Sequence, residues 1–131
     1  MRSAALAFAM LFILGGGASA KEQTPLAESA PPPPYEDQLL RLSEILGSMH
    51  YLRGLCEAPD ADAWREQMQA LIDTEQPDDL RRARLVDRFN RGYESFKAVY
   101  LDCTPAAKLA VDRYLTEGAK IAAEITARYG K

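Results

Sequence analysis

Residues 36–56, EDQLLRLSEILGSMHYLRGLC, decide the fold class. Leu39, Leu42, Ile45, Leu46, Met49, Leu52 and Cys56 return every three or four positions, the period of an α-helix with one buried side, and no stretch keeps a period of two. A first helix is therefore expected from Glu36 to about Leu55. It should stop at Glu57-Ala58-Pro59, because proline has no N–H with which to continue the helix.

Working toward the C-terminus, the same period appears three more times. A second helix should follow a cap at Asp60 or Asp62, carry Trp64, Met68, Leu71 and Ile72, and end before Pro77. A third opens at Asp78 and Asp79, whose charges suit the positive end of a helix dipole, and continues through Leu85, Val86, Phe89, Tyr93, Phe96, Val99 and Tyr100. The fourth has the clearest start: Thr104 can cap and Pro105 occupies the first helical position, where a missing N–H costs nothing. It then passes Val111, Tyr114, Ile121 and Ile125 to stop near Gly130. Four helices with short connections predict an all-α fold, a four-helix up-down bundle.

Toward the N-terminus the composition changes. Pro31 to Pro34 favour an extended polyproline segment, and residues 21–34 read as a linker ahead of a helical domain at 35–131. Residues 1–20 have the form of a secretory signal peptide: Arg2, an apolar run from Ala4 to Leu14, and Ala18-Ser19-Ala20 as a cleavage site. The apolar run is too short to span a bilayer, so the mature form is expected to be periplasmic, cleaved after Ala20 and not membrane-spanning. The whole chain carries 16 Lys and Arg against 19 Asp and Glu, and Arg2 is the only charge in the signal segment, so cleavage leaves a more acidic protein. Such a balance argues against nucleic-acid binding, which draws its affinity from neutralising phosphates.

The only two cysteines are Cys56 and Cys103. In an exported chain an even pair reads as a disulfide, and with no C-x-x-C a redox role has little to stand on. In an up-down bundle the C-terminal ends of helices one and three meet at one end, so the bridge is expected to link those two ends. Closing a loop of about 47 residues is worth roughly 4 kcal/mol at most.

Three groups are candidates for function. Ser43, Gly47, His50 and Gly54 share one face of helix one, where glycine costs about 1 kcal/mol relative to alanine and so needs a reason. That reason is either close helix–helix approach or a backbone-floored groove with His50 at its edge. Arg81, Arg84, Arg88 and Arg91 form a narrow line on helix three. They either pair with acidic residues of helix two (Glu66, Asp73 or Glu75) or present guanidinium forks to a carboxylate- or phosphate-bearing component of the envelope. Lastly, His50, Tyr93, Glu94 and Glu117 include an acid–base set for a small-ligand or cell-wall-acting pocket, provided the fold brings them together. His50 is the only histidine, which excludes a multi-histidine metal site and leaves no complete catalytic set; no metal or cofactor is expected.

The blocks Leu42–Cys56 (LSEILGSMHYLRGLC), Arg88–Phe96 (RFNRGYESF), Cys103–Ala107 (CTPAA) and Arg113–Gly118 (RYLTEG) together resemble a family of small exported alphaproteobacterial proteins known as a domain of unknown function. The resemblance implies a bacterial group and a compartment, with no activity and no site residues to carry over. The expected function is a non-enzymatic periplasmic interaction module of the cell envelope, binding an unidentified protein or anionic component through the arginine line and the glycine face.

Overall fold

The computed structural model describes residues 30–130. The expected signal peptide at 1–20 and most of the linker at 21–34 lie outside the described residues. Four helices follow: α1 (Glu36–Leu55), α2 (Ala61–Glu75), α3 (Asp79–Val99) and α4 (Pro105–Tyr129), with no strand among the described residues.

The helix boundaries have local causes. The carboxylate of Asp78 accepts the Arg81 N–H at 2.8 Å, and the Thr104 hydroxyl accepts the Ala107 N–H at 3.2 Å, so α3 and α4 start at capped residues. Asp60 is the residue before α2, but its carboxylate turns to the Arg53 guanidinium at 2.7 Å instead of capping. That ion pair ties the α1–α2 corner. At the end of α1, the Glu57 N–H bonds the Gly54 carbonyl and the Ala58 N–H bonds the Arg53 carbonyl. This is the Schellman arrangement, with Glu57 in the left-handed position at φ 55°.

Partner pairs give the direction of each helix. Along α1, Glu36 meets Arg81, Glu44 meets Arg88, and Tyr51 meets Tyr93 and Tyr100, so α3 runs parallel to it. Tyr35 meets Glu75 while Arg53 meets Asp60, and Gln38 meets Glu124 while Arg41 meets Glu117, so α2 and α4 run antiparallel. The bundle is up-down-up-down, as expected, but its helices are not equivalent. The other three helices pack principally on α1, which is thus the axial element. Its apolar residues split between two clusters. Leu39 and Leu46 join Met68, Ile72 and Leu85, whereas Ile45, Met49 and Leu52 join Ala107, Val111 and Ile121.

At the α1–α3 crossing backbone meets backbone. A Cβ added at Gly47 would lie 1.9 Å from the Phe89 carbonyl oxygen, and one at Gly92 would lie 2.0 Å from that of Glu44. Both glycines therefore serve backbone-to-backbone approach. The polar residues on this buried side satisfy themselves locally: Ser43 donates to the Leu39 carbonyl and Ser48 to that of Glu44, each at 2.9 Å.

The Cys56–Cys103 disulfide is present. Its position departs from the expectation that it links the ends of helices one and three. Tyr100 leaves the helix in an extended conformation, so Cys103 falls in the α3–α4 connection, next to the Thr104 cap. The Tyr51 hydroxyl donates to the Tyr100 carbonyl at that departure. The bridge joins the end of α1 to the segment that starts α4.

Candidate functional site

The arginine line does not behave as a unit. Arg81 is inserted between Glu36 and Glu75, 2.7 Å from each, with its side chain 15% exposed, and Glu75 also accepts the Tyr35 hydroxyl. Burial opposes the Arg81 charge, but hydrogen bonds and attraction from Glu75 and Glu36 outweigh it and raise its pKa. The same enclosure, with Glu75 alongside, raises the pKa of Tyr35. Arg81 is thus a structural tie between the starts of α1 and α3 and the end of α2. Arg88 bonds Glu44 at 3.1 Å, and Arg91 stands 3.9 Å from Asp87 with both side chains largely in solvent. Arg84 is exposed and has no ion pair among the described residues. Of the α2 acids expected to screen this line, Glu75 does so and Glu66 and Asp73 do not.

The glycine face is likewise consumed. Gly47 is covered by Phe89 and Ser43 is fully buried, so no groove floored by backbone opens there. Gly54 is exposed at the end of the helix, where an added Cβ would come no closer than 4.0 Å to a neighbouring side chain, the Ala61 Cβ. His50 Nδ1 lies 2.8 Å from the Ala61 carbonyl, which requires a proton on Nδ1, and the ring packs against Phe89 and Tyr93 with centroids 6.1 and 5.6 Å apart. It pins α1 to the start of α2.

His50, Tyr93, Glu94 and Glu117 are not gathered around one cavity. Tyr93 packs edge-on against Tyr51, and Glu94 is exposed on α3. Glu117 is held on the α4 side by a two-pronged hydrogen bond from Arg41 at 2.8 and 2.9 Å, with Arg41 also lying over the Tyr114 ring. The Arg41 hydrogen bond lowers the pKa of Glu117 against an opposing burial effect, so this carboxyl is ionised at neutral pH and is not a proton donor. The alternative acid–base set that the sequence offered is therefore not brought together among the described residues.

A more enclosed cavity lies elsewhere. Because α2 and α4 both lean on α1, a groove of about 590 Å³ opens between them. Leu39, Leu42, Ile45 and Leu46 form its floor. By helix geometry these residues project from the side of α1 opposite Glu44, Gly47 and Tyr51, which face α3. Trp64, whose buried indole N–H has no hydrogen-bond partner among the described residues, stands at the end near the start of α2. The two carboxylates in the lining, Asp60 and Glu75, are already engaged by Arg53 and Arg81. Arg53 holds the Asp60 carboxyl below the usual carboxylate range. The groove is thus apolar, and the cations that neutralise its ends belong to this chain. Leu115, 49% exposed, stands on its α4 wall. A second depression of about 420 Å³ is formed by α4 residues alone, from Asp112 to Lys120, and is a shallow surface feature.

Sequence reading missed the groove because alanine and threonine recur along its walls and carry no strong apolar signal, while Trp64, Leu71, Tyr114 and Ile125 read as core. The available sign was spacing: Ala63, Gln67, Ala70 and Thr74 on α2, and Leu115, Ala119, Ala122 and Thr126 on α4. No cluster of potential metal ligands occurs among the described residues, and no helix among them is long and apolar enough to cross a membrane.

A family model described as a protein of unknown function (DUF2385) matches residues 34–129. No curated protein and no solved structure matches the chain. The chain belongs to the DUF2385 family.

Proposed function

We propose that this DUF2385 protein is an exported, non-enzymatic interaction module of the cell envelope, released into the periplasm by cleavage after Ala20, and that the apolar groove between α2 and α4 is its binding surface. The observation that carries the reading is the groove itself: about 590 Å³ of apolar space over the axial helix, with its end charges internally neutralised. A well-formed apolar concavity is the usual place for a ligand or partner. The arginine line is a weaker candidate for that role, because Arg81 and Arg88 are spent on Glu36, Glu75 and Glu44. The disulfide fits an oxidising compartment and the leader-like residues 1–20 fit export.

The test is a crosslinking pull-down of the mature protein from its native periplasm, comparing wild type with Ala119→Glu and with Arg84→Glu/Arg91→Glu. Ala119 is exposed on the groove wall, so the substitution places a charge there without disturbing the core. A partner retained by the arginine variant and lost by Ala119→Glu is expected. Loss in the arginine variant alone would move the binding surface to α3. Intact mass of the periplasmic form should begin at Lys21, and a chain found in the cytosol with residues 1–20 attached would refute the location.

The second reading, a small-ligand binder, is favoured by the volume, which falls in the range of small-molecule sites. It uses the same groove and not the His50, Tyr93, Glu94 and Glu117 set.

A further inference from the structure

The walls of the groove carry a pattern that speaks to its occupant. On α2 the lining residues Ala63, Gln67, Ala70 and Thr74 are spaced four, three and four apart, and on α4 Leu115, Ala119, Ala122 and Thr126 repeat the same spacing. On the floor, Leu39, Leu42 and Leu46 are spaced three and four. This is the spacing with which helices present a seam to another helix. Three such seams converge on one axis along which the described residues supply no helix. Ala63 and Ala70 on one wall and Gly118, Ala119 and Ala122 on the other are small, which leaves room for a neighbouring helix to approach between the larger Trp64, Leu71, Tyr114 and Ile125.

Charge distinguishes the two edges. Immediately outside the α2 seam, Asp62, Glu66 and Asp73 form a single exposed line, and none is in an ion pair among the described residues. Gln69 continues the line and donates to Asp73 at 2.9 Å. The one cation of α2, Arg65, lies further round the helix. The corresponding edge of α4 along the groove, Thr116, Ala123 and Ala127, is uncharged, with Lys120 further round and Asp112 one turn before Thr116. Between the edges the groove is neutral, since Asp60 and Glu75 are paired internally.

We infer that the occupant is one amphipathic α-helix of a partner protein, lying along α1 between α2 and α4, with an apolar face toward Leu39, Leu42 and Leu46 and basic residues along the edge that meets Asp62, Glu66 and Asp73. The inference rests on the groove being the binding surface, and it names what that surface takes. A fatty acyl chain would fill the same volume, but it has no use for helical seams, and the carboxylate of a fatty acid would meet an acidic edge. The length of α2, 15 residues, sets the span over which the partner helix is gripped, about four turns.

Trp64 is the only tryptophan in the chain and lines the groove, so its fluorescence reports occupancy. The probes are two synthetic helical peptides of about 20 residues with the same leucine seam, one flanked by lysines and one by glutamates, together with palmitate. The disulfide-bonded mature protein is titrated with each, and calorimetry gives the stoichiometry. The lysine-edged peptide should bind one-to-one and saturably, and the glutamate-edged peptide on the order of tenfold more weakly. In the exposed triple variant Asp62→Asn/Glu66→Gln/Asp73→Asn that preference should fall to about twofold or less, and Ala119→Glu should abolish binding of both. Equal binding of the two peptides, binding of palmitate alone, or binding of no probe would overturn the inference. If no peptide binds while Ala119→Glu still loses its periplasmic partner, the groove reading stands and the helical occupant falls.

Discussion

Replacing Gly47 by alanine is expected to destabilise the protein severely, while the same change at Gly54, seven residues along the same helix, should stabilise it. The new methyl at position 47 would lie 1.9 Å from the Phe89 carbonyl oxygen, where an ordinary C···O contact is about 3.3 Å. The shortfall of about 1.4 Å falls on backbone, which cannot swing aside as a side chain can, so α3 must move away from α1. A gap approaching 1 Å forfeits a quarter to a half of each dispersion contact across it, and the crossing includes fully buried Leu85. Overpacking typically costs 1–3 kcal/mol. With loss of contacts along the crossing added, and about 1 kcal/mol of helix propensity returned, a net loss of roughly 3 kcal/mol follows. At Gly54 the nearest atom is 4.0 Å away, so only the propensity gain of about 0.5–1 kcal/mol remains. Urea unfolding of both variants with the disulfide intact, followed by circular dichroism, reads the two values directly. A Gly47→Ala midpoint within experimental error of wild type, or shifts of the same sign at both positions, would refute the backbone-contact account.

Other outcomes follow from the same geometry. Glu57→Gly should raise stability by about 1 kcal/mol in the same assay, because it relieves a side chain held at φ 55° at the end of α1; no gain would mean the exposed glutamate has an unrecognised favourable contact. Arg81→Met should cost roughly 2–4 kcal/mol, since it leaves Glu36 and Glu75, 11% and 15% exposed, without their cation. Glu117 titrates below its unfolded value, so its contribution is present above the ordinary carboxylate range and is lost as pH falls through the folded pKa. Arg41→Met should therefore lose less stability than wild type between neutral and acidic pH. Removing the disulfide as Cys56→Ser/Cys103→Ser should lower stability by up to about 4 kcal/mol.

The helices were legible because their ends carry chemistry that acts locally. Pro59 and Pro77 fall in the loops that end α1 and α2, and the caps at Asp78 and Thr104 need only the N–H three residues on. What lay beyond local reading was which side of α1 is buried. Leu39 and Leu46 share its periodic pattern with Ile45 and Met49, yet they serve different clusters, because α1 is flanked by α2 and α3 on one side and by α4 on another. The side that meets α3 is written in glycine, serine and Glu36, residues that ordinarily signal exposure; Ser43 and Ser48 escape the cost of burial by bonding the carbonyl four residues back. The arginine line was visible as spacing, but the partner that removes Arg81 from the surface, Glu36, is 45 residues away in sequence. The groove was hidden for the opposite reason, since small residues recur along its walls and its floor was already assigned to the core.

The central claim, that the groove between α2 and α4 is the working surface, is tested most directly by site-specific photocrosslinking in living cells. A photoreactive residue is placed in turn at Ala63 and Ala119 on the groove walls, and at Glu94 and Ser95 on the exposed side of α3. The account predicts discrete adducts from both groove positions and none from α3; adducts from Glu94 or Ser95 with the groove positions silent would contradict it.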